Sequence, residues 1–287
     1  MTSSSKTSNT SYNLHSIWTN TLKYSALIIL AFFVLAPVIT AVLGGFKNTG
    51  ELFAAPFGWP QVFRWENYTD ILASSNFWRQ LLNSAIIVAG TTSLTVVSSS
   101  LLAFVFSRLD FPGRDLLFNF FTLGLLFPIT IAFLPVYIQV RQMGLLDSYF
   151  GVIFPLVAFG IPGSTLILRG FFRAIPIELE DASYIDGCGI LGFFWYVLLP
   201  LARPALGAIL VLQTIVAWNE YFLPLLVLND DKKWPLTLGV MQFQGQFAVD
   251  TAKIMAFVSL LIVPAVLFYL LTQRYIVTGL TGGELKG

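Results

Sequence analysis

The chain has almost nothing with which to hold a metal or run nucleophilic chemistry: one cysteine, Cys188, and one histidine, His15, in 287 residues. A single thiol excludes an internal disulfide. A lone imidazole in a polar N-terminal stretch leaves no metal-ligand cluster and no histidine-based triad. Charge is scarce too, since 11% of the residues are Asp, Glu, Lys or Arg and 56% are hydrophobic, whereas an average soluble domain is roughly 25% charged. The formal net charge of +1 is scattered between apolar blocks, which gives no basic field for nucleic acid and excludes it as a partner. The chain also lacks the G-x-x-x-x-G-K-[ST] loop that cradles phosphates and the H-E-x-x-H zinc motif. No internal repeat is visible, which weighs against repeat-built secondary transporters.

What the chain has instead is long apolar runs. A hydrocarbon core of about 30 Å takes about 20 apolar residues per helix. Blocks of that order lie at 24–45, 80–107, 115–139, 148–171, 203–228 and 254–275. The fold class this predicts is an all-α membrane protein of six transmembrane helices, with membrane lipid around it. Pro128, Pro135, Pro155 and Pro162 interrupt the third and fourth blocks. They predict kinks rather than loops, because neighbours in a bundle re-satisfy the backbone groups that proline frees. The transmembrane domain is expected over 23–276. A disordered lead rich in Ser, Thr and Asn precedes it over 1–22, and a tail over 277–287 follows, with Gly279, Gly282, Gly283 and Gly287. The first block exceeds the roughly 7–15 apolar residues of a signal peptide and is taken as a retained span.

An even number of spans puts both termini on one side. Lys23, Arg108, Arg114, Arg169, Arg173, Arg203 and Arg274 fall on that side, against Lys47, Arg79, Arg141, Lys232, Lys233 and Lys253 on the other. This slight excess leans towards cytoplasmic termini. The opposite side carries two longer connections, 46–79 and 229–253, where Trp59, Trp65, Trp78 and Trp234 cluster. An interfacial aromatic belt explains them, with contact to an external partner as the alternative.

Against this background the stretch 175–204 stands apart. Glu178, Glu180, Asp181 and Asp186 gather there, in a chain with 15 acids in all. Pro176 suits a helix start and the acids suit its positive dipole end. Gly187 and Gly189 suit its stop, so the spacing predicts a helix of about ten residues, roughly 15 Å long. Ala182 and Ser183 keep part of its surface small. A second, apolar helix is expected over Ile190–Leu199, ended by Pro200. A helix resting on lipid headgroups usually carries Lys and Arg; this one is acidic, which favours a protein partner.

The run Leu179-Glu180-Asp181-Ala182-Ser183-Tyr184-Ile185-Asp186-Gly187, followed by Val197-Leu198-Leu199-Pro200, resembles the E-A-A loop of the membrane subunits of bacterial ATP-binding-cassette importers. Asn67-Tyr68, Asn83-Ser84, Phe111-Pro112-Gly113, Trp218-Asn219-Glu220 and the ending Gly279-Leu280-Thr281 with Lys286-Gly287 extend the resemblance to the carbohydrate, maltose-type branch over nearly the whole chain. Asp181 stands where that family usually has Glu, Ser183 replaces its second Ala, and Cys188-Gly189 replaces Ala-Ser. The resemblance implies a permease subunit for a sugar or sugar-like solute in the bacterial inner membrane, not an enzyme. Glu178, Glu180, Asp181, Ala182, Ser183, Asp186 and Gly187 would form a coupling helix seated on a cytoplasmic ATPase dimer. That dimer would bind ATP and Mg, leaving no cofactor in this chain. A second, homologous permease subunit and an extracytoplasmic solute-binding protein would complete the assembly. An amino-acid or peptide importer subunit and an ion-coupled secondary carrier are the alternatives.

Polar residues inside spans are functional candidates. The fifth block supplies Gln213, Trp218, Asn219, Glu220 and Tyr221, and the third adds Tyr137 and Gln139. Sugars pack their C–H faces on aromatic rings and bond their hydroxyls to amides and carboxylates, so these residues are candidates for a solute pathway. Gln213 and Asn219 serve equally as hydrogen-bond glue between helices, and Glu220 as a headgroup-level residue. Ser84, Thr91, Thr95 and Ser98 in the second block are expected to pack helices together.

Overall fold

The computed structural model describes residues 9–245 and 249–281, with side chains over 18–245 and 249–273. Residues 1–8 of the lead and 282–287 of the tail, with Gly282, Gly283, Lys286 and Gly287, lie outside the described residues. So does the side chain of Arg274. Within them the chain is helical apart from turns and one isolated antiparallel bridge, Gln244 to Val249.

The helices are α1 (Asn9–Gly45), α2 (Thr49–Ala54), α3 (Glu66–Ala73), α4 (Ser75–Arg108), α5 (Arg114–Thr122), α6 (Ile129–Gln142), α7 (Tyr149–Ala174), α8 (Ile177–Ile185), α9 (Ile190–Gly192), α10 (Leu199–Leu201), α11 (Arg203–Asn219), α12 (Phe222–Val227) and α13 (Thr251–Thr281). Four of them contain spans long and apolar enough to cross a membrane: Trp18–Gly45, Ser75–Arg108, Tyr149–Ala174 and Thr251–Gln273. Two bent pairs raise the number to as many as six if each is one span. α1 begins at Asn9, inside the segment expected to be a disordered lead, and α13 runs through Gly279 into the expected tail.

The third block is broken, not kinked. A 3-10 turn, Leu123–Leu126, follows α5, and α6 then leaves at 101°. Phe127 is extended, with ψ 109°, because the ring of the following proline steers it out of the helical region. Pro155 and Pro162 obey the same rule, yet α7 continues through both; buried packing around Pro162 outweighs the local preference. The fifth block also parts, between α11 and α12, where Glu220 is extended. The apolar segment after Gly189 continues through Pro200 to Leu201, with a π-helical turn over Phe193–Leu198. It meets α11 at 76°.

The chain divides into two compact units, Met1–Asp70 with Phe243–Ser259, and Ile71–Gln242 with Leu260–Gly287. In the first, Lys47 is wholly buried and its Nζ donates to the carbonyls of Ala55 and Pro56 at 2.7 and 3.4 Å, filling acceptors left open at the end of α2. Asn67 Nδ2 donates to Gly45 O and Lys47 O at 2.8 and 2.9 Å, and Tyr68 OH donates to Val42 O at 2.8 Å. Trp59 and Trp65 are exposed.

In the second unit α4 packs most extensively on α7 and then on α11. Ser84, Thr91, Thr95, Ser99 and Ser100 are buried along α4 and Ser98 is half-buried, in keeping with their expected packing role. Apolar clusters fill both ends. One gathers Phe104, Leu168, Phe172, Phe193, Phe194, Leu198 and Ile209 beside α8. The other gathers Ile87, Val140, Val152, Leu156, Leu223 and Val227.

Candidate functional site

α8 is short, opened by a proline and closed by a hydrogen-bonded glycine turn. Pro176 takes the N-cap place, and Glu178 and Glu180 lie in the first turn, where the dipole favours acids. At the other end Gly187 has φ +84°, Gly187 N donates to Tyr184 O at 3.1 Å and Cys188 N to Ser183 O at 2.9 Å. These are the two bonds of a Schellman ending, with glycine in the left-handed place. The helix is nine residues long.

Its two sides differ sharply. Glu180 and Ser183 are buried, while Ile177, Asp181 and Ile185, spaced four apart and so on one stripe, face outward with Glu178 and Ala182. Ile177 is 59% and Ile185 86% exposed, an unusual place for isoleucine on a polar-ended helix. Asp186 is exposed after it.

The buried side is locked by a residue far away in sequence. Arg108, the last residue of α4, places Nη1 3.2 Å from Glu180 Oε2, with only 5% and 9% of the two side chains exposed. Its Nη2 donates to Phe172 O at 2.6 Å and Ile175 O at 2.7 Å, carbonyls at the end of α7, the first of which also accepts from Ile175 N at 3.3 Å. The guanidinium also lies 5.8 Å from the centroid of the Phe193 ring, within cation–π range. Tyr184 OH donates to the second carboxylate oxygen of Glu180 at 2.9 Å; burial, and then this bond, raise the tyrosine pKa. Removing one member of such a pair strands a buried charge, at a cost of roughly 3–5 kcal/mol. Ser183 Oγ donates back to Glu180 O at 2.7 Å.

Arg108 was visible in the sequence only as a positive charge at a span end. The signal that could have flagged it is a lone arginine closing an apolar helix just before the Leu-Asp-Phe-Pro-Gly turn.

At the far end of α4, Asn83 Nδ2 donates to Lys232 O and Trp234 O at 2.8 and 2.9 Å. Asn83 Oδ1 accepts from Tyr149 OH at 2.7 Å, and Ser84 Oγ accepts from Leu236 N at 2.8 Å. The turn at Asp147 joins the same region, since Asp147 Oδ1 accepts from the amides of Asn229 and Asp230. Trp78 is exposed, whereas Trp234 is half-buried, with Nε1 donating to Leu228 O at 3.2 Å.

The pathway candidates separate. Trp218 and Asn219 line a cavity of about 490 Å³ with Ala85, Val88 and Ala89 of α4 and Pro264, Phe268 and Tyr269 of α13. The buried indole Nε1 of Trp218 has no hydrogen-bond partner among the described residues, and Asn219 Nδ2 donates to Ile215 O one turn back. Gln213 Nε2 donates to Ser164 Oγ at 3.0 Å, linking α11 to α7. Glu220 Oε1 accepts from Leu223 N at 3.0 Å, a capping bond for α12. Tyr221 packs edge-on against Phe222. Tyr137 is half-buried on α6 and does not line that cavity.

Residues 95–280 match the family described as "Binding-protein-dependent transport system inner membrane component". The diacetylchitobiose uptake system permease protein NgcG of Streptomyces coelicolor is 32% identical over 267 residues, covering 92% of this chain and 88% of that protein. The sn-glycerol-3-phosphate transport system permease protein UgpE of Yersinia pestis bv. Antiqua is 32% identical over 267 residues, covering 90% and 94%. Among solved structures, a bacterial ABC transporter involved in the import of the acidic polysaccharide alginate superposes with a TM-score of 0.73 over 96% of this chain and 99% of that one. The two are 24% identical, so the likeness is one of fold.

Proposed function

The chain belongs to the inner-membrane components of binding-protein-dependent transport systems, and on that premise we propose that it is the permease subunit of a sugar importer, driven through α8 by a separate ATPase. The observation that carries this is the two-sided helix: Ile177, Asp181 and Ile185 outward, Glu180 locked inward on Arg108. Exposed isoleucines beside acids suit a protein groove better than water or an anionic lipid surface. α8 is thus read as the coupling helix. The α8 side of the second unit faces the cytoplasm, Asn83 and the 229–236 loop face outward towards the solute-binding protein, and the even number of spans expected from the sequence puts both termini in the cytoplasm.

Because the chain has no phosphate loop, ATP and Mg belong to an ATPase dimer, and a second permease subunit completes the pore. A sugar or sugar-like solute agrees with relatives named for diacetylchitobiose and sn-glycerol-3-phosphate. The ion-driven alternative loses its inner carboxylate, since Glu220 is engaged in capping α12. Trp218 and Asn219, which share a cavity, are the proposed pathway residues; Gln213, Glu220, Tyr221 and Tyr137 have structural engagements or lie elsewhere. The test is reconstitution of the assembled complex with its binding protein, scanning mono-, di- and oligosaccharides and glycerol phosphates for stimulation of ATP hydrolysis. Stimulation by amino acids or peptides instead would overturn the sugar assignment.

A further inference from the structure

We propose that Arg108 is the positioning residue through which a displacement of α8 enters α4, and that α4 acts as a strut delivering it to the 231–236 segment at its far end. The inference rests on the reading of α8 as the ATPase-docking helix and goes beyond it by naming the path inside this chain.

The path begins with the pair itself. A push on the outward stripe of α8 meets Glu180 on the opposite side, and both carboxylate oxygens of Glu180 are engaged, by Arg108 and by Tyr184. Arg108 is simultaneously fixed to Phe172 O and Ile175 O. One guanidinium therefore holds α8, the end of α7 and the end of α4 together. Among the described residues, this is the hydrogen bond that ties α8 to an element other than its neighbours in the chain. Its donors form a rigid planar fork, so the tie fixes direction as well as distance.

The strut is suited to its task. α4 has 34 residues without an internal proline, about 51 Å at 1.5 Å per residue, longer than a hydrocarbon core. α6, α7 and α13 each carry prolines inside, and α11 parts from α12 at Glu220. α4 is also fixed about two turns in from its far end, roughly 38 Å from Arg108, by buried polar side chains: Asn83 holds Lys232 O, Trp234 O and the hydroxyl of Tyr149, and Ser84 holds Leu236 N. Asn83 and Ser84 are 3% and 4% exposed. A continuous helix gripped by side chains at two places so far apart moves both attachments when it moves.

The experiment uses the whole complex in proteoliposomes, with loaded binding protein. In a Cys188→Ser background, an environment-sensitive label is placed either at Gly189→Cys, where a Cβ meets nothing within 4 Å, or at Asp231→Cys on the exposed far loop. In the otherwise unaltered chain ATP is expected to change both signals. In Arg108→Met with Glu180→Met, which removes both charges together, the label after α8 should still respond, the far label should lose its response, and solute moved per ATP should fall at least tenfold. A far label that responds as before, with unchanged solute per ATP, overturns the strut and assigns transmission to the covalent junctions with α7 and α11. If the double variant does not assemble, Arg108→Lys keeps a charge against Glu180 without the fork. The same two labels then decide, a weakened far response supporting the proposal and a full one overturning it. A parent complex whose α8 label is silent to ATP overturns the coupling reading itself, and the strut with it. Silence of the far label alone, with α8 responding, overturns only the strut.

Discussion

Lys233 Nζ lies 2.7 Å from Asp147 Oδ2 and 2.8 Å from the Asp147 carbonyl oxygen, so one lysine pins a turn whose central residue sits at φ +55°. Aspartate tolerates that conformation better than most residues. Its Oδ1 accepts from the amides of Asn229 and Asp230 at 3.2 and 3.0 Å. The Lys233 hydrogen bond, then the Asp230 amide, hold the Asp147 carboxyl below its ordinary pKa; the Asp147 hydrogen bond raises Lys233. A lowered acid contributes order that is present above the ordinary aspartate range and lost as pH falls through the lowered value. For a raised lysine the order is present below its ordinary value and lost as pH climbs through the raised one. Hydrogen exchange at Asn229 and Asp230, corrected for intrinsic rates, is therefore expected to be protected across the neutral range and to lose protection in acid. Asp147→Ala should exchange faster at neutral pH and converge with the parent in acid. Equal protection at neutral pH would show that the turn does not depend on this carboxylate.

Gly151, one turn into α7, is where three elements meet. A Cβ there would overlap the Leu145 carbonyl oxygen and come within 2.9 Å of Val227 Cγ1 and 3.0 Å of Val140 Cγ1. Backbone cannot swing aside as a side chain can, so Gly151→Ala is expected to destabilise by about 1–3 kcal/mol. Gly170 in the same helix meets nothing within 4 Å, and Gly170→Ala should be neutral or stabilising by up to about 1 kcal/mol. Thermal unfolding in detergent compares the two; equal midpoints would refute the packing argument.

These contrasts separate what local chemistry announces from what only the fold decides. The limits of α8 were readable because Pro176 and Gly187 act within their own turns, and the Schellman bonds of Gly187 and Cys188 follow from that. The grip of Arg108 on Glu180 spans 72 residues, and no local pattern encodes it. Prolines were visible but ambiguous: Pro128 breaks its block, whereas Pro155 and Pro162 sit inside a continuous helix. Gln213 and Glu220 were readable from sequence as pathway or as scaffold, and the fold adds the bonds they make, to Ser164 Oγ and Leu223 N. Asn67 and Asn83, which resembled family positions without an assigned task, prove to be tie points for two carbonyls each.

Glu220 gives a clean separation of capping from charge. Glu220→Gln keeps an acceptor for Leu223 N and should retain stability and uptake. Glu220→Ala removes it and should cost about 1 kcal/mol, seen as a lower unfolding midpoint with an unchanged apparent solute affinity. If Glu220→Gln loses uptake as fully as Glu220→Ala, the charge itself is used and the capping account is insufficient.

Asn219 is exposed and, among the described residues, its side chain is bonded to the turn before it, Nδ2 to Ile215 O at 2.8 Å, so its amide is available to a solute hydroxyl at little structural cost. Asn219→Ala is expected to raise the KM of uptake about three- to tenfold, the loss of one hydrogen bond of about 1 kcal/mol, with stability unchanged. Uptake assays on the assembled complex read this directly. An unaltered KM and rate would remove Asn219 from the pathway.

Gly187 tests α8 from its C-terminal end. Its φ of +84° suits glycine, while an added Cβ would meet no other atom within 4 Å, so a substitution acts through the backbone alone. Gly187→Ala should cost about 1–2 kcal/mol in local order, loosening the Gly187 and Cys188 amide bonds that end the helix. Gly187→Asn, which tolerates the left-handed region, should sit between alanine and the parent. Gly187→Asp adds a charge beside Asp186 and the outward stripe, and is expected to abolish uptake while the protein remains in the membrane and its unfolding midpoint, like that of Gly187→Asn, stays at or above that of Gly187→Ala. The ordering Gly, Asn, Ala in exchange protection at Cys188, with Asp distinguished by lost uptake rather than lost stability, separates backbone strain from charge at the docking face. Normal uptake by Gly187→Asp would remove α8 from the coupling path.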